Sequence, residues 1–178
     1  EVGASLLCDA EVRAGVTQRG EDPDRTVALI AETINAALAD RPKDLVVSMH
    51  TCRGNFRSRW HGQGAYDPIA ETMFGRAGVD AFFVEYDDAR SGGFEPLRYV
   101  PKGKYVVLGL ISSKTPVLES KDEIKRRVDE ASRYVDLDHL CLSPQCGFAS
   151  TEEGNSLSED EQWAKLARIV EVAHDVWG

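Results

Sequence analysis

The chain has 178 residues, 42% of them hydrophobic, 29% charged and 8% aromatic, which is enough for one sizeable core and too short for two comfortable domains. With 21 Lys and Arg against 30 Asp and Glu, the formal charge is −9; such a surface repels phosphate backbones and excludes nucleic acid as an expected partner. No run approaches the ~18–20 apolar residues of a membrane span. The first nine residues, Glu1 to Asp9, lack both the basic segment and the cleavage site of a signal peptide. A cytoplasmic setting is expected. The absence of an initiator Met predicts a chain trimmed at its N-terminus from something longer. Four cysteines, Cys8, Cys52, Cys141 and Cys146, are too few and too irregularly spaced for a disulfide framework, so they are expected to be buried, catalytic or metal-bound.

In chain order, Asp22-Pro23 reads as an N-cap followed by proline in the first helical turn. Val27, Ile30, Ala31, Ile34, Ala37 and Leu38 then form one helical face that ends near Asp40, before Pro42. Residues 45–50 (LVVSMH) predict the first strand. A long loop with Gly54, Gly62 and Gly64 leads to a helix from about Pro68 to Gly75. Residues 81–86 (AFFVEY) and 105–111 (YVVLGLI) predict the second and third strands. Ser120-Lys121-Asp122-Glu123 has the form of a capping box, opening a helix with Ile124, Val128, Ala131 and Tyr134 on one side. Residues 139–143 (HLCLS) give the fourth strand. Ser158-Glu159-Asp160-Glu161 is a second capping box. It opens a last helix whose buried stripe is expected to be Trp163, Leu166, Ala167, Val170, Ala173 and Trp177. Four successive βα units with near-continuous apolar strands predict a parallel α/β architecture covered on both faces. Such a chain is either a small open sheet or half of a (β/α)8 barrel, which needs roughly 250 residues when complete. The abrupt start, in what reads as a loop after a strand, favours roughly the C-terminal half of a TIM barrel: a single catalytic half-barrel domain over residues 1–178.

The chemistry-bearing residues sit at strand ends. His50-Thr51-Cys52 closes the first strand, Glu85 the second, and Cys146 follows the fourth within Ser143-Pro144-Gln145-Cys146-Gly147. In parallel α/β folds the C-terminal ends of the strands open onto one face, where active sites assemble. One imidazole, two thiolates and a carboxylate form a tetrahedral zinc set. Each residue also has a plainer reading. A His-x-Cys pair suits packing, Glu85 could be neutralised by an arginine, and Cys146 could be a buried thiol in a tight turn.

Together, His50-x-Cys52, Glu85 and Ser143-Pro144-Gln145-Cys146-Gly147-Phe148 closely resemble the C-terminal catalytic domain of cobalamin-independent methionine synthase. The resemblance covers essentially the whole chain, as about the second half of that domain, and is nearest to its short single-domain relatives. It implies Zn2+ held by His50, Cys52, Glu85 and Cys146. It further implies a methyltransferase that activates a thiol, homocysteine, to accept a methyl group from 5-methyltetrahydrofolate or a related donor, giving methionine. Glu1 matches the last residue of the family's Gln-x-Asp-Glu strand end, which implies a place in substrate binding. Where folate-using members carry Asp-x-His-Ser-Pro, this chain has Ser112-Ser113-Lys114-Thr115-Pro116, so Lys114 stands where the family's proton-donating His would be. Lys114 is then either a cationic donor, with a pKa far from that of imidazole, or a solvated lysine ahead of a helix. Arg53, with Arg57 and Arg59, either grips an anionic donor or belongs to a surface run. Trp60 either stacks on a flat donor ring or anchors its loop. Cys141 is expected to pack as a small hydrophobe, His139 to lie far from the metal, and His174 to be exposed or structural. Two other readings share these residues: alkyl transfer to another small thiol from a corrinoid or epoxide donor, and a non-catalytic domain that binds zinc for stability. A half-barrel also exposes strand edges, so association with the missing half or with a second copy is expected.

Overall fold

The computed structural model describes residues 3–149 and 151–178. A 3-10 segment, Gly3–Cys8, runs into α1, Ala10–Gln18. Helix α1 was not among the sequence expectations, because its apolar residues are too few to mark a face. It is started by Asp9, whose carboxylate accepts the N–H of Glu11 and, across the loop, that of Gln63. Helix α2, Pro23–Ala37, begins as expected at Asp22, which accepts the Asp24 N–H. Of its apolar face, Val27 and Ala31 are buried, Ile30, Ile34 and Leu38 half-buried, and Ala37 exposed.

The four strands are β1, Ser48–Thr51; β2, Ala81–Glu85; β3, Tyr105–Ile111; and β4, Leu140–Pro144. They pair in sequence order, all parallel. Helix α3, Asp67–Arg76, connects β1 to β2; α4, Lys121–Ser132, connects β3 to β4; and α5, Glu159–Trp177, follows β4. Two 3-10 segments, Ala89–Ser91 and Glu95–Tyr99, bridge β2 to β3 in place of a full helix. Period-two alternation sends Met49, Phe82, Val84, Val106, Leu108 and Leu110 into the core beneath the helices. The opposite face carries Ser48, His50, Phe83 and Ser143, which line a cleft of about 1030 Å³.

Several expectations are corrected. The first strand starts at Ser48 and not at Leu45. Val47 is held by Asp80, whose carboxylate accepts its N–H at 2.8 Å and whose own N–H reaches Val47 O at 2.7 Å, so Leu45 and Val46 stay outside the ladder and exposed. His139 ends a 3-10 turn, and β4 begins one residue later. Ser120 is the N-cap of α4, but its hydroxyl makes no capping bond. The second capping box, Ser158 with Glu161, forms fully. Ile124, Val128 and Ala131 are buried as expected, whereas Tyr134 lies past the helix end and is exposed.

The stripe of α5 is rotated from its expected place. Trp163 and Val170 are more than half exposed, while Lys165 and Val172 are buried. The cause is Lys165, whose ammonium donates to both carboxylate oxygens of Glu119 at 3.0 Å and to Val117 O at 2.6 Å. A buried charge must be matched, so this pair selects which face of an evenly apolar helix turns inward.

Candidate metal centre

His50 and Cys52 are two residues apart at the C-terminal end of β1, so they point to the same side of the strand. Glu85 ends the neighbouring β2, and Cys146 lies in the turn just past β4. The ligand atoms of these four residues all fall within 4.8 Å of one another. Among the described residues no other group of three or more His, Cys, Asp or Glu converges in this way. His50 Nε2 lies 3.3 Å from Glu85 Oε1, and the Cys52 and Cys146 sulfurs are 3.9 Å apart, far beyond disulfide length. Donors held at about 2.0–2.3 Å from one tetrahedral ion lie about 3.3–3.8 Å from each other, so both pairs already stand close to the spacing a zinc ion requires.

Among the described residues, neither carboxylate oxygen of the fully buried Glu85 has a hydrogen bond, and neither does His50 Nε2, whose contact with Glu85 at 3.3 Å is badly aligned for one. A buried carboxylate left without a donor is costly, and a cation at the centre of the four donors removes that cost. Burial pushes the His50 imidazole down, but contacts with Cys146 and Glu85 outweigh it and hold it up at about 9, a sign of how much negative charge faces this ring. The donor set therefore fits Zn2+ in both chemistry and spacing.

A scaffold of neutral groups positions the donors. Tyr66, the fully buried residue before α3, receives the Glu85 N–H on its hydroxyl at 2.9 Å and sits 3.0 Å from Thr51 Oγ1. Since Thr51 donates to Phe83 O, Tyr66 is the donor to Thr51. One phenol thus locks the ends of β1 and β2 together. Ser5 donates to Cys52 O at 2.5 Å, and the Gly54 N–H points at Cys52 Sγ at 3.3 Å. Asn55 donates to Gly147 O at 2.8 Å and to Ser113 Oγ at 3.3 Å, and Gln145 donates to the same hydroxyl at 2.6 Å. This set ties the loops after β1, β3 and β4 around Cys146. Gly109 sits where a Cβ would meet Gln145 Cα at 2.6 Å and Val84 O at 2.7 Å, so only glycine lets the strands close beneath the cluster. None of these supports was singled out from sequence. A lone Tyr, Asn or Ser in a loop carries no spacing signal, and only the run around Cys146 included Gln145.

The remaining expected site residues fall in distinct places. Arg53 is not part of a solvated run: it is 1% exposed, donates to Gly64 O at 2.7 Å and places its guanidinium 4.1 Å from the centre of the Tyr66 ring. It does not line the cleft, whereas Arg57 and Arg59 are exposed. Lys114 is not solvated either; it is buried, with an ammonium that has no hydrogen-bond acceptor among the described residues. Trp60 is partly exposed, with the Arg90 guanidinium 4.2 Å over its ring. Glu1 lies outside the described residues. Cys141 is only half-buried, with its thiol pushed up by burial. His139 packs against Tyr105 at the opposite end of the sheet, and His174 is exposed. Cys8 is buried, and burial raises its thiol to about 11.

Comparison with known proteins places this geometry in a family. Residues 9–175 match the profile of the cobalamin-independent synthase catalytic domain. YxjG of Bacillus subtilis (strain 168) is 61% identical over 159 residues, covering 89% of this chain and 42% of its own, and YxjH of the same organism is 55% identical over 174 residues, covering 97% and 46%. The chain thus spans less than half the length of these curated relatives. A crystal structure from Listeria monocytogenes, assigned as a vitamin-B12-independent methionine synthase, superposes with a TM-score of 0.73 at 42% identity, covering 98% of this chain and 46% of that one. The fold is also that of a B12-independent methionine synthase from Shewanella sp. W3-18-1, solved in complex with selenomethionine; TM-score 0.64, 19% identity, covering 84% of this chain and 46% of that one. Four parallel strands, with helices after β1, β3 and β4, that match a little under half of such chains are a half-barrel, as the strand pattern predicts. This chain belongs to the cobalamin-independent synthase catalytic-domain family.

Proposed function

We propose that His50, Cys52, Glu85 and Cys146 hold one Zn2+ and that the chain forms part of a methyltransferase acting on a small thiol, homocysteine being the acceptor that the family reading favours. The observation that carries this reading is Glu85, fully buried with neither oxygen hydrogen-bonded among the described residues, facing an imidazole and two cysteines. When bound, the ion lowers the pKa of a thiol from its ordinary ~8.5, so that sulfur is available as a nucleophile at neutral pH. The chain's own residues then divide the remaining work. Cys52 and Cys146 supply soft donors that suit a site meant for sulfur. Glu85 is the odd oxygen donor among nitrogen and sulfur and is the ligand that an incoming thiol displaces most readily. Lys114, buried in the loop after β3 and without an acceptor among the described residues, is suited to face negative charge on the departing group. The cleft beside the cluster, lined by His50, Cys52, Phe83, Gln145 and Cys146, gives the reactants room, which a purely structural zinc site does not need.

The test is zinc per chain in protein purified without added metal, beside a Cys146→Ser variant. About one zinc per chain in the parent and a clear loss in the variant are expected, followed by methyl transfer to homocysteine that stops when the metal is removed. Well-folded parent protein free of zinc overturns the reading. Zinc that is retained while excess thiol leaves the metal environment unchanged, as read by X-ray absorption, supports the structural alternative instead.

A further inference from the structure

Arg53 poses a problem that the metal reading alone does not solve. Burying a guanidinium is expensive unless an anion or several acceptors accompany it. Arg53 is 1% exposed, its guanidinium donates to a carbonyl oxygen and stacks on a phenol ring, and its Nε and Nη2 have no hydrogen-bond partner among the described residues. Asp9, the other buried carboxylate nearby, is already occupied by the N–H groups of Glu11 and Gln63. Asp9 keeps its charge and faces Arg53 as well, and the donor cluster adds a second negative field through Glu85. Arg53 follows Cys52 directly in the chain, and the ring it stacks on carries the hydroxyl that receives the Glu85 N–H at 2.9 Å. Burial pushes the guanidinium down, but Tyr66 and Cys8, with Glu85 as the smallest contributor, hold it up.

Resting on the metal and thiol reading above, we propose that Arg53 is the counter-charge of the donor cluster: a positioning residue that stabilises the negative charge brought in by a substrate thiolate without touching substrate. Two thiolates and a carboxylate set three negative charges against the two of a divalent ion. A thiol that enters would lose its S–H proton to solvent, and its sulfur would take the place of the Glu85 oxygen at the metal, adding a further negative charge to the pocket. Nearby, one buried cation offsets it. Loading the metal, by contrast, releases thiol protons as the dication arrives, so the local charge changes little and Arg53 has little influence on that step. The role therefore separates thiol binding from metal binding, which a merely structural arginine cannot do.

The experiment uses the full-length protein loaded with Co2+ as a spectroscopic probe, and L-homocysteine as the thiol. Arg53→Met removes the charge and keeps the bulk; Arg53→Lys keeps the charge. Metal affinity is read by chelator competition, and thiol binding by the change in the cobalt absorption bands. Arg53→Met is expected to hold the metal within about threefold of the parent and to bind the thiol weaker on the order of tenfold, the scale of one charge acting through protein over several ångströms. Arg53→Lys is expected to recover most of that loss. Equal thiol affinity in Arg53→Met and parent overturns the proposal, and so does loss of metal from Arg53→Met, which marks a scaffold role. A parent that takes up neither metal nor thiol overturns the functional reading itself, so the two failures are distinct.

Discussion

At Glu85 a carboxylate is carried into full burial at the end of a strand with neither oxygen hydrogen-bonded among the described residues, and the residues around it show why the chain tolerates this. His50 stands 3.3 Å away, two cysteine sulfurs complete the set, and Tyr66 fixes the Glu85 backbone through its amide. The Tyr66 hydroxyl therefore has a function its ring does not. Replacing it by phenylalanine keeps the packing against Phe74 and Tyr86 but leaves the buried Glu85 N–H unpaired. Tyr66→Phe is expected to cost about 1–3 kcal/mol in urea unfolding and to weaken zinc retention; unchanged stability would mean that the amide finds another acceptor. His50, Cys52, Glu85 and Cys146 were legible in the sequence as ligand-type residues at strand ends, and the family resemblance, more than the spacing, joined them into one set. The supports could not, since Tyr66, Asn55 and Ser113 become partners of the site only when three loops meet. Arg53 and Lys114 show the limit most clearly. Both sit in polar loop sequence that reads as exposed, and both are buried because the loops fold back over the strand ends.

At the level of elements, β3 does most to shape the site. Its Gly109 pairs with Glu85 on one side and Ser143 on the other, and the ladder to β4 shifts register between Gly109 and Ile111. That shift swings Gln145 and Cys146 across the strand end, and the space it closes leaves no room for a methyl group. Gly109→Ala is expected to destabilise by about 1–3 kcal/mol through overpacking and to lower zinc content together with it; calorimetry and metal analysis of the same sample check both. The loop that follows β3 is fastened at several points. Ser112 donates to Asp87, the Ser112 N–H reaches Glu119, and Glu119 takes the buried Lys165 of α5. This fastening holds Lys114 in place and turns α5 away from the face its apolar residues suggest. Helix periodicity marked where α5 lies but not its rotation, because apolar residues occur on two sides and one ion pair decides between them.

Across the whole molecule, the two ends of the sheet are specialised. The C-terminal ends carry the donor cluster. The N-terminal ends are held by Asp80, which takes a paired contact from Arg41 at 2.6 and 2.9 Å and the Val47 N–H at 2.8 Å, joining the segment after α2 to the starts of β1 and β2. The Arg41 guanidinium beside it, with the Val47 amide, lowers the Asp80 carboxyl from 3.8 to about 2. A carboxyl depressed in the folded state stabilises the fold above its ordinary pKa, and that stabilisation is lost as pH falls from 3.8 towards 2. Melting temperature followed from pH 5 to pH 2 is expected to drop less steeply in Asp80→Asn, which starts lower but no longer titrates there; parallel curves for variant and parent would remove Asp80 from the acid response.

What the sequence by itself determined is the order of four strands, their parallel pairing and the ligand types at the strand ends. Those rest on short-range periodicity and on a rule that parallel strands open their C-terminal ends to one side. The tertiary structure alone decided which face of α5 turns inward, that Arg53 and Lys114 are buried, and that Tyr66 and Asn55 brace the donors. Each of these depends on contacts between residues far apart in the chain, where a single buried charge or hydroxyl outweighs the local preference of the segment that carries it.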